Sequence, residues 1–193
     1  LDPLTGEEIE NAVAILKADQ GIVDQVRFET ITLNEPPKKA VLEYTDGDPV
    51  TREAFIVILD NNSGKTYEAI VSLSEQKVTS WKHIPNVQPR IMLDEFAGCE
   101  EAVKSNPEFL SALAKRGITD IDLVMVDPWS AGNFGIQEEE GLRLAMARCW
   151  MKTSSTDNGY ARPIEGLIPV VDLNRMEVLR VEDHGIVPLP PND

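Results

Sequence analysis

Apolar residues recur at helical spacing near the start of the chain. Ile9, Ala12 and Leu16 lie three or four residues apart, which predicts an amphipathic helix with one apolar face. Thr5 precedes this stripe and Glu8 stands three residues later. The pair therefore has the spacing of a capping box, in which each side chain satisfies a backbone N–H of the other residue. We expect the chain to open with a helix capped by Thr5.

β-branched and aromatic residues then dominate several short segments, which is typical of strands. Between two of these segments, residues 60–64 read Asp-Asn-Asn-Ser-Gly, a turn signal that predicts a β-hairpin. The predicted strands are 26–33, 40–44, 54–59, 67–73 and a last one leading to Trp81. A helix followed by antiparallel strands is therefore the expected first unit.

The same order of elements recurs after the proline-flanked segment 85–89. Asp94 is the expected cap of one helix, and Asn106 with Pro107 begins another, because proline suits the first helical position. Further strands are predicted at 121–126, 142–151, 166–173 and 176–181. The sequence predicts an α+β fold of two units, 1–86 and 87–193, each a helix on a curled antiparallel sheet. The second unit is expected to end in a proline-rich connection.

Composition and charge restrict the possible partners of the chain. The 193 residues carry 18 basic and 33 acidic side chains, a net charge of −15, which would repel a nucleic-acid backbone. No apolar run approaches the ~20 residues of a membrane span, and no signal peptide is visible. We therefore expect a globular chain without nucleic-acid or membrane partners, and the sequence does not indicate its compartment.

Candidate catalytic or metal-binding residues are few. The chain has two histidines, His83 and His184, and two cysteines, Cys99 and Cys149. A copper or zinc site needs several converging imidazole, thiolate or carboxylate ligands, and neither cysteine has a histidine beside it that could activate it. We expect no catalytic, cofactor-binding or metal-binding residue in this chain, and we expect both cysteines to be buried. Whether the two cysteines pair stays open.

Two aromatic residues, Trp129 and Tyr160, are predicted to lie on loops of the second unit. Aromatic side chains in such positions either cap the edge of a core or contact a partner. The residues alone favour the cap, without excluding the contact.

Three segments together resemble a known family. Residues 1–5, Leu-Asp-Pro-Leu-Thr, with the amphipathic helix that follows, resemble the opening of the first of two small α+β domains in copper-containing, topaquinone-dependent primary amine oxidases. Two further segments resemble the second small domain of these oxidases. They are residues 127–132, Asp-Pro-Trp-Ser-Ala-Gly, and residues 161–167, Ala-Arg-Pro-Ile-Glu-Gly-Leu. The resemblance spans essentially the whole chain, so the order and spacing of these segments carry more weight than any one of them.

The resemblance implies two tandem cystatin-like units that precede a catalytic domain. The family oxidises primary amines to aldehydes and releases ammonia and hydrogen peroxide, with copper held by three histidines, a quinone made from a tyrosine, and an aspartate base. This sequence has neither a His-x-His pair nor the quinone-forming Asn-Tyr-Asp/Glu. Copper and topaquinone are therefore expected in a catalytic domain of the same polypeptide, which is expected to act on amines as a homodimer, while this part alone is expected to be inactive.

The resemblance also implies one contribution to substrate selection. In similar enzymes the second small domain helps to line the mouth of the substrate channel. The matching positions in this chain are Phe96, Pro128, Trp129 and Tyr160, which favours a partner contact for the two aromatic residues.

Two other functions stay open at this point. One is a free-standing cystatin-like binding module such as a protease inhibitor, although residues 25–29 do not form the Gln-x-Val-x-Gly hairpin of such inhibitors. The other is a small hydrolase with paired carboxylates, which would need two acidic residues in different environments of one cleft.

Overall fold

The computed structural model describes residues 1–22, 26–132 and 134–191. They divide into two compact units, Leu1–Pro89 and Arg90–Asp193, each with a four-stranded antiparallel sheet and at least one helix. The α+β fold class is thereby confirmed, while the cystatin likeness and a boundary between residues 86 and 87 stay predictions. Within the described ranges, no helix combines the length and the apolar character needed to cross a membrane. Gln25, the first residue of the segment 25–29 that was compared with the inhibitor hairpin, lies outside the described residues.

The first unit places its sheet strands in sequence order, β1-β2-β3-β4. Its elements are α1 (Gly6–Gln20), β1 (Val26–Leu33), α2 (Lys38–Glu43), β2 (Glu53–Asp60), β3 (Lys65–Ser72) and β4 (Lys77–Ile84). The predicted capping box is confirmed, because Glu8 N donates to Thr5 Oγ1 at 3.2 Å and Thr5 N donates to Glu8 Oε2 at 2.8 Å. Ala12 and Leu16 of α1 are fully buried against the sheet.

The predicted strand at 40–44 is wrong, because these residues belong to the helix α2 and its end. Lysine, alanine, leucine and glutamate are good helix formers, and the preceding Pro37 stands at the N-cap position. No residue of α2 is buried. Strand propensity needs a neighbouring strand and a half-buried surface to take effect, and this segment has neither.

The second unit also orders its strands sequentially, β5-β6-β7-β8. Its helices are α3 (Leu93–Ser105) and α4 (Pro107–Lys115), its strands are β5 (Val124–Ser130), β6 (Leu144–Met151), β7 (Leu167–Asp172) and β8 (Glu177–Asp183), and short 3-10 turns cover Ile121–Leu123, Gln137–Glu139 and Gly159–Ala161. The core lies between the two helices and one face of this sheet. Cys99 and Val103 of α3 and Phe109 of α4 meet Val126 and Ala147 there.

Two predicted boundaries of the second unit are corrected. Asp94 lies in the first turn of α3, one residue inside the helix, and the N-cap is Met92. The backbone N–H of Met92 donates to Glu95 Oε2 at 2.7 Å. The strand predicted at 121–126 begins only at Val124 and continues to Ser130. Trp129 therefore lies in β5 itself and not on a loop.

Pro169 marks a break in the second sheet. β6 pairs with β7 only from Leu144–Met146 to Val170–Asp172, whereas β7 continues to pair with β8 as far as Leu167. Proline has no backbone N–H to give to a ladder, so a proline inside a central strand interrupts it. Beyond this point β6 bonds to a different segment, and Ile164 N donates to Cys149 O at 2.8 Å. The two strands thus diverge where the proline removes a donor.

Candidate functional site

The face of the second sheet opposite the helices carries an exposed group of polar and aromatic side chains. Side chains alternate between the two faces of a strand, so Asp127 and Trp129 of β5 point away from the core to which Val126 belongs. Arg148 and Trp150 lie on the same face of β6, because Arg148 pairs with Asp127 in register. Together with Tyr160 these residues are called the aromatic face below.

Asp127 joins the two aromatic residues that the sequence singled out. Its Oδ2 accepts a hydrogen bond from Trp129 Nε1 at 3.0 Å and another from the Tyr160 hydroxyl at 3.3 Å. Tyr160 reaches this position from the 3-10 turn Gly159–Ala161, which Asn158 caps through its side-chain oxygen. Both rings remain more than half exposed, Trp129 at 54% and Tyr160 at 56%.

Further contacts fix the orientation of the two rings. The guanidinium carbon of Arg148 lies 5.9 Å from the centroid of the Trp129 ring, within the range of a cation–π interaction. Tyr160 meets Trp150 edge to face, with centroids 5.0 Å apart and planes at 69°, a favoured arrangement of aromatic pairs. The pKa of the Tyr160 phenol is raised above its ordinary value, first by the negative charge of Asp127 and then by desolvation and the hydrogen bond. Tyr160 is therefore a neutral hydrogen-bond donor near neutral pH.

Pro128 and Phe96 occupy other positions in the second unit. Pro128 lies on β5 between Asp127 and Trp129 and is buried, opposite Ala147 of the helix-facing core. Phe96 lies on α3, which packs on that same helix-facing side, and is 37% exposed. Within the described residues, no hydrogen bond or ring contact connects Phe96 with Trp129 or Tyr160. The structure thus brings Trp129 and Tyr160 together. Pro128 is linked to Trp129 as its neighbour in β5.

The divergence of β6 and β7 leaves an opening beside the aromatic face. Its volume is about 320 Å³. It is lined by Arg148, Cys149, Trp150 and residues 163–168. Arg148 and Trp150 therefore belong to the aromatic face and also line the opening.

The side chains present do not fit a copper centre. In the described part of the chain, no three side chains among histidine, cysteine, aspartate and glutamate come together as metal ligands. His83 lies on β4 of the first unit, while His184 follows β8 of the second. His184 Nε2 is 3.6 Å from Glu182 Oε2, but the neighbouring Asp183 carboxylate binds Arg116 instead.

Both cysteines are free thiols inside the second core. The prediction that they are buried is confirmed, because Cys99 is 0% and Cys149 is 4% exposed. Desolvation raises the pKa of Cys99 to about 12 and also raises the pKa of Cys149. Neither thiol therefore supplies a thiolate near neutral pH, which a nucleophile requires.

Sequence reasoning missed Asp127, Arg148 and Trp150 as members of the aromatic face. The period-two alternation of β5 was the available signal for Asp127, since it places Asp127 and Trp129 on one side of the sheet. The contribution of Tyr160 to the same face depends on a turn 33 residues away from Asp127, and no local pattern reports such a contact.

Comparison with known proteins agrees with the fold. Residues 5–81 match the family described as AGAO-like N2 domain, and residues 94–193 match the family described as Copper amine oxidase, N3 domain. The second match covers more than half of the chain, so the chain belongs to the copper amine oxidase family.

Individual relatives share this region at moderate identity. The chain is 44% identical over 191 residues to a primary amine oxidase of Arthrobacter sp. (strain P1), covering 98% of this chain and 29% of that protein. It is 36% identical over 231 residues to a copper-containing diamine oxidase of Nicotiana tabacum, named as peroxisomal, covering 100% of this chain and 29% of that protein. The chain thus spans less than a third of the length of these relatives.

A solved structure shares the fold. The crystal structure of Pichia pastoris lysyl oxidase matches with a TM-score of 0.57 and 13% identity, covering 97% of this chain and 29% of that one. At this identity the likeness concerns the fold alone.

Proposed function

We propose that this chain is the N2–N3 part of a longer copper amine oxidase that oxidises primary amines to aldehydes and releases ammonia and hydrogen peroxide. The membership of the chain in the copper amine oxidase family supports this proposal. The relatives from Arthrobacter and Klebsiella aerogenes are named primary amine oxidases, and the chain covers 29% and 25% of their lengths. No finding supports the alternative of a free-standing binding module.

The catalytic groups of the proposed oxidase lie outside this sequence. Copper and the topaquinone made from a tyrosine belong to its catalytic domain, because the two histidines here lie in different units and do not form a metal site. That domain is the proposed partner of this chain within one polypeptide, and the whole oxidase is proposed to be a homodimer. This chain contributes binding surface and no step of the chemistry.

The contribution that we propose for the second unit is selection of the amine at the mouth of the substrate channel. The residues proposed for the channel mouth are Phe96, Pro128, Trp129 and Tyr160. Trp129 and Tyr160 offer the exposed ring surface, whereas Pro128 is buried beside Trp129 in β5 and Phe96 lies on α3. The observation that carries this proposal is the exposure of Trp129 and Tyr160, which stay more than half exposed although both are held by hydrogen bonds. Large aromatic side chains that are ordered and exposed offer contact area to a ligand at little further entropic cost.

Expression of the complete reading frame with copper tests the parent activity. We expect hydrogen peroxide to form when a primary amine is added, in an amount equal to the aldehyde produced. A complete protein that contains no quinone and consumes no amine would contradict the proposed activity.

The channel role is tested separately with Trp129→Ala in that complete oxidase, with methylamine and benzylamine as substrates. We expect the ratio of kcat/KM between the two amines to change, because the ring that borders their route is lost. Tyr44→Ala is the matched control, since Tyr44 is an exposed aromatic residue of the first unit. An unchanged ratio in Trp129→Ala would rule out a role of this ring in selection.

A further inference from the structure

The single carboxylate of Asp127 holds two exposed aromatic rings whose own positions are 31 residues apart in the chain. Its Oδ2 accepts from Trp129 Nε1 on the same strand and from the Tyr160 hydroxyl on a separate turn. These contacts bury neither ring beyond half of its surface. Fixing a side chain costs conformational entropy, so stability gained by burial does not account for ordering both rings at the surface.

Arg148, the charged residue opposite Asp127 on the paired strand, leaves Asp127 Oδ2 available to Trp129 and Tyr160. Arg148 is the register partner of Asp127 on β6, yet its guanidinium lies over the Trp129 ring, and the donors to Asp127 Oδ2 are Trp129 and Tyr160. Trp129 is thus held at its indole N–H by Asp127 and at its ring face by Arg148. Tyr160 is held at its hydroxyl by Asp127 and at its ring by Trp150.

We infer that Asp127 is a positioning residue for amine selection. It holds Trp129 and Tyr160 at a fixed separation, and this separation limits the size of the amine that passes the aromatic face of the oxidase. The inference rests on the proposed function. It adds a residue that does not itself need to touch the amine. Hydrogen bonds to a charged acceptor are stronger than neutral ones, which suits an anchor that must keep two side chains in place at the surface.

A structural test of the anchor uses the 193-residue chain alone. The three indole N–H signals of Trp81, Trp129 and Trp150 are followed by NMR, with Trp129→Phe as the assignment variant. In Asp127→Ala we expect the Trp129 indole proton to exchange with water about fivefold faster or more, in line with the loss of one hydrogen bond. Asp127→Asn keeps an acceptor oxygen and is expected to retain most of the protection. Equal exchange in the parent chain and Asp127→Ala would overturn the anchor.

The functional test uses the complete oxidase with the same two variants. In Asp127→Ala we expect KM for benzylamine to change relative to KM for methylamine, with kcat for methylamine unchanged, because the rings move while the catalytic groups do not. Asp127→Asn is expected to restore the parental ratio, which distinguishes positioning from a purely electrostatic effect. Asp122→Asn controls for the loss of one exposed carboxylate from the same unit.

The outcomes separate the inference from the proposed function. If Trp129→Ala and Tyr160→Ala leave amine preference unchanged while Asp127→Ala still frees the indole proton, the channel proposal fails and Asp127 is a structural anchor only. If Asp127→Asn shifts the KM ratio as far as Asp127→Ala does, the charge selects the amine and the positioning role is overturned. A fall of kcat for both amines by the same factor would also contradict it.

Discussion

Arg116 and Asp183 join the end of α4 to the end of β8 in the second unit. Arg116 Nη2 lies 2.6 Å from Asp183 Oδ1, and the same guanidinium donates to the backbone oxygens of Ala112, Gly166 and Gly185. The arginine side chain is 2% exposed and the aspartate 31%. One cation therefore ties together a helix end, the start of β7 and the segment that follows β8.

The Arg116–Asp183 pair makes the second unit sensitive to acid. The hydrogen bond from Arg116 lowers the pKa of Asp183 from 3.8 to about 2. Because the folded state binds this proton less readily than the unfolded chain, the stabilisation is present above pH 4 and is lost as the pH falls from about 4 to about 2. We expect Asp183→Asn to lower the urea midpoint at pH 6 and to have a smaller effect near pH 2. An equal loss at both pH values would show that the charge of Asp183 contributes nothing.

The buried pair of Glu95 and Arg143 predicts a large effect of single substitutions. Arg143 Nε and Nη2 donate to the two carboxylate oxygens of Glu95 at 2.7 and 2.8 Å. The Arg143 side chain is only 4% exposed and the Glu95 side chain 0%. Removing Arg143 leaves the buried carboxylate of Glu95 without its cation, so Arg143→Met is expected to destabilise the chain by about 3–5 kcal/mol.

The double variant Glu95→Met/Arg143→Met separates charge burial from lost packing. Replacing a whole buried ion pair by apolar residues is often close to neutral, so we expect the double variant to unfold at a higher urea concentration than Arg143→Met. A double variant at least as unstable as the single one would show that the methionines do not fit the site. Denaturant unfolding followed by circular dichroism measures all three proteins.

The backbone conformation and close surroundings of Gly166 predict that no side chain is tolerated at this position. Its φ is +72°, and a Cβ there would lie 2.7 Å from the backbone oxygen of Gly185. Gly141 has a similar φ of +79° but open space around the Cβ position. Gly141→Ala is expected to cost about 1–2 kcal/mol for the left-handed conformation alone. Gly166→Ala is expected to cost roughly 1–3 kcal/mol more, because backbone must move. Equal losses in thermal unfolding would contradict the steric argument.

The burial of Cys99 and Cys149 predicts thiols that do not react in the folded chain. Both are almost inaccessible, and burial raises the pKa of each. A disulfide-exchange reagent attacks the thiolate form. We therefore expect no reaction with Ellman's reagent in the folded protein at pH 8 and two equivalents in denaturant. Rapid reaction of the folded chain would indicate that α3 leaves the sheet readily.

Local signals predicted most of the framework because each was strong on its own. The spacing of Thr5 and Glu8 placed the start of α1, and Asn106 before Pro107 placed the start of α4. The strand predicted at 40–44 failed because Val41 and Tyr44 have strand propensity, whereas the segment has no neighbouring strand to pair with among the described residues. The local sequence does not contain that tertiary information.

The aromatic face was predictable only in part, for a related reason. Trp129 and Tyr160 stood out as aromatic residues outside the helical stripes, but placing the strand at 121–126 concealed that Asp127 and Trp129 share a face of β5. The approach of Tyr160 to Asp127 depends on how the turn Gly159–Ala161 folds back over the sheet. Contacts of this kind follow from the tertiary fold and not from spacing.

The break at Pro169 has a consequence for motion within the second unit. Only three residue pairs connect β6 with β7, compared with seven between β5 and β6 and six between β7 and β8. Proteins open locally along their least stable hydrogen-bonded connections. The sheet therefore consists of two hairpins joined by a short seam, and amide hydrogens along this seam should exchange before those within either hairpin. Arg148 lies at the edge of this seam. The seam is short because Pro169 lacks an N–H, so local opening there is expected to affect the aromatic face first.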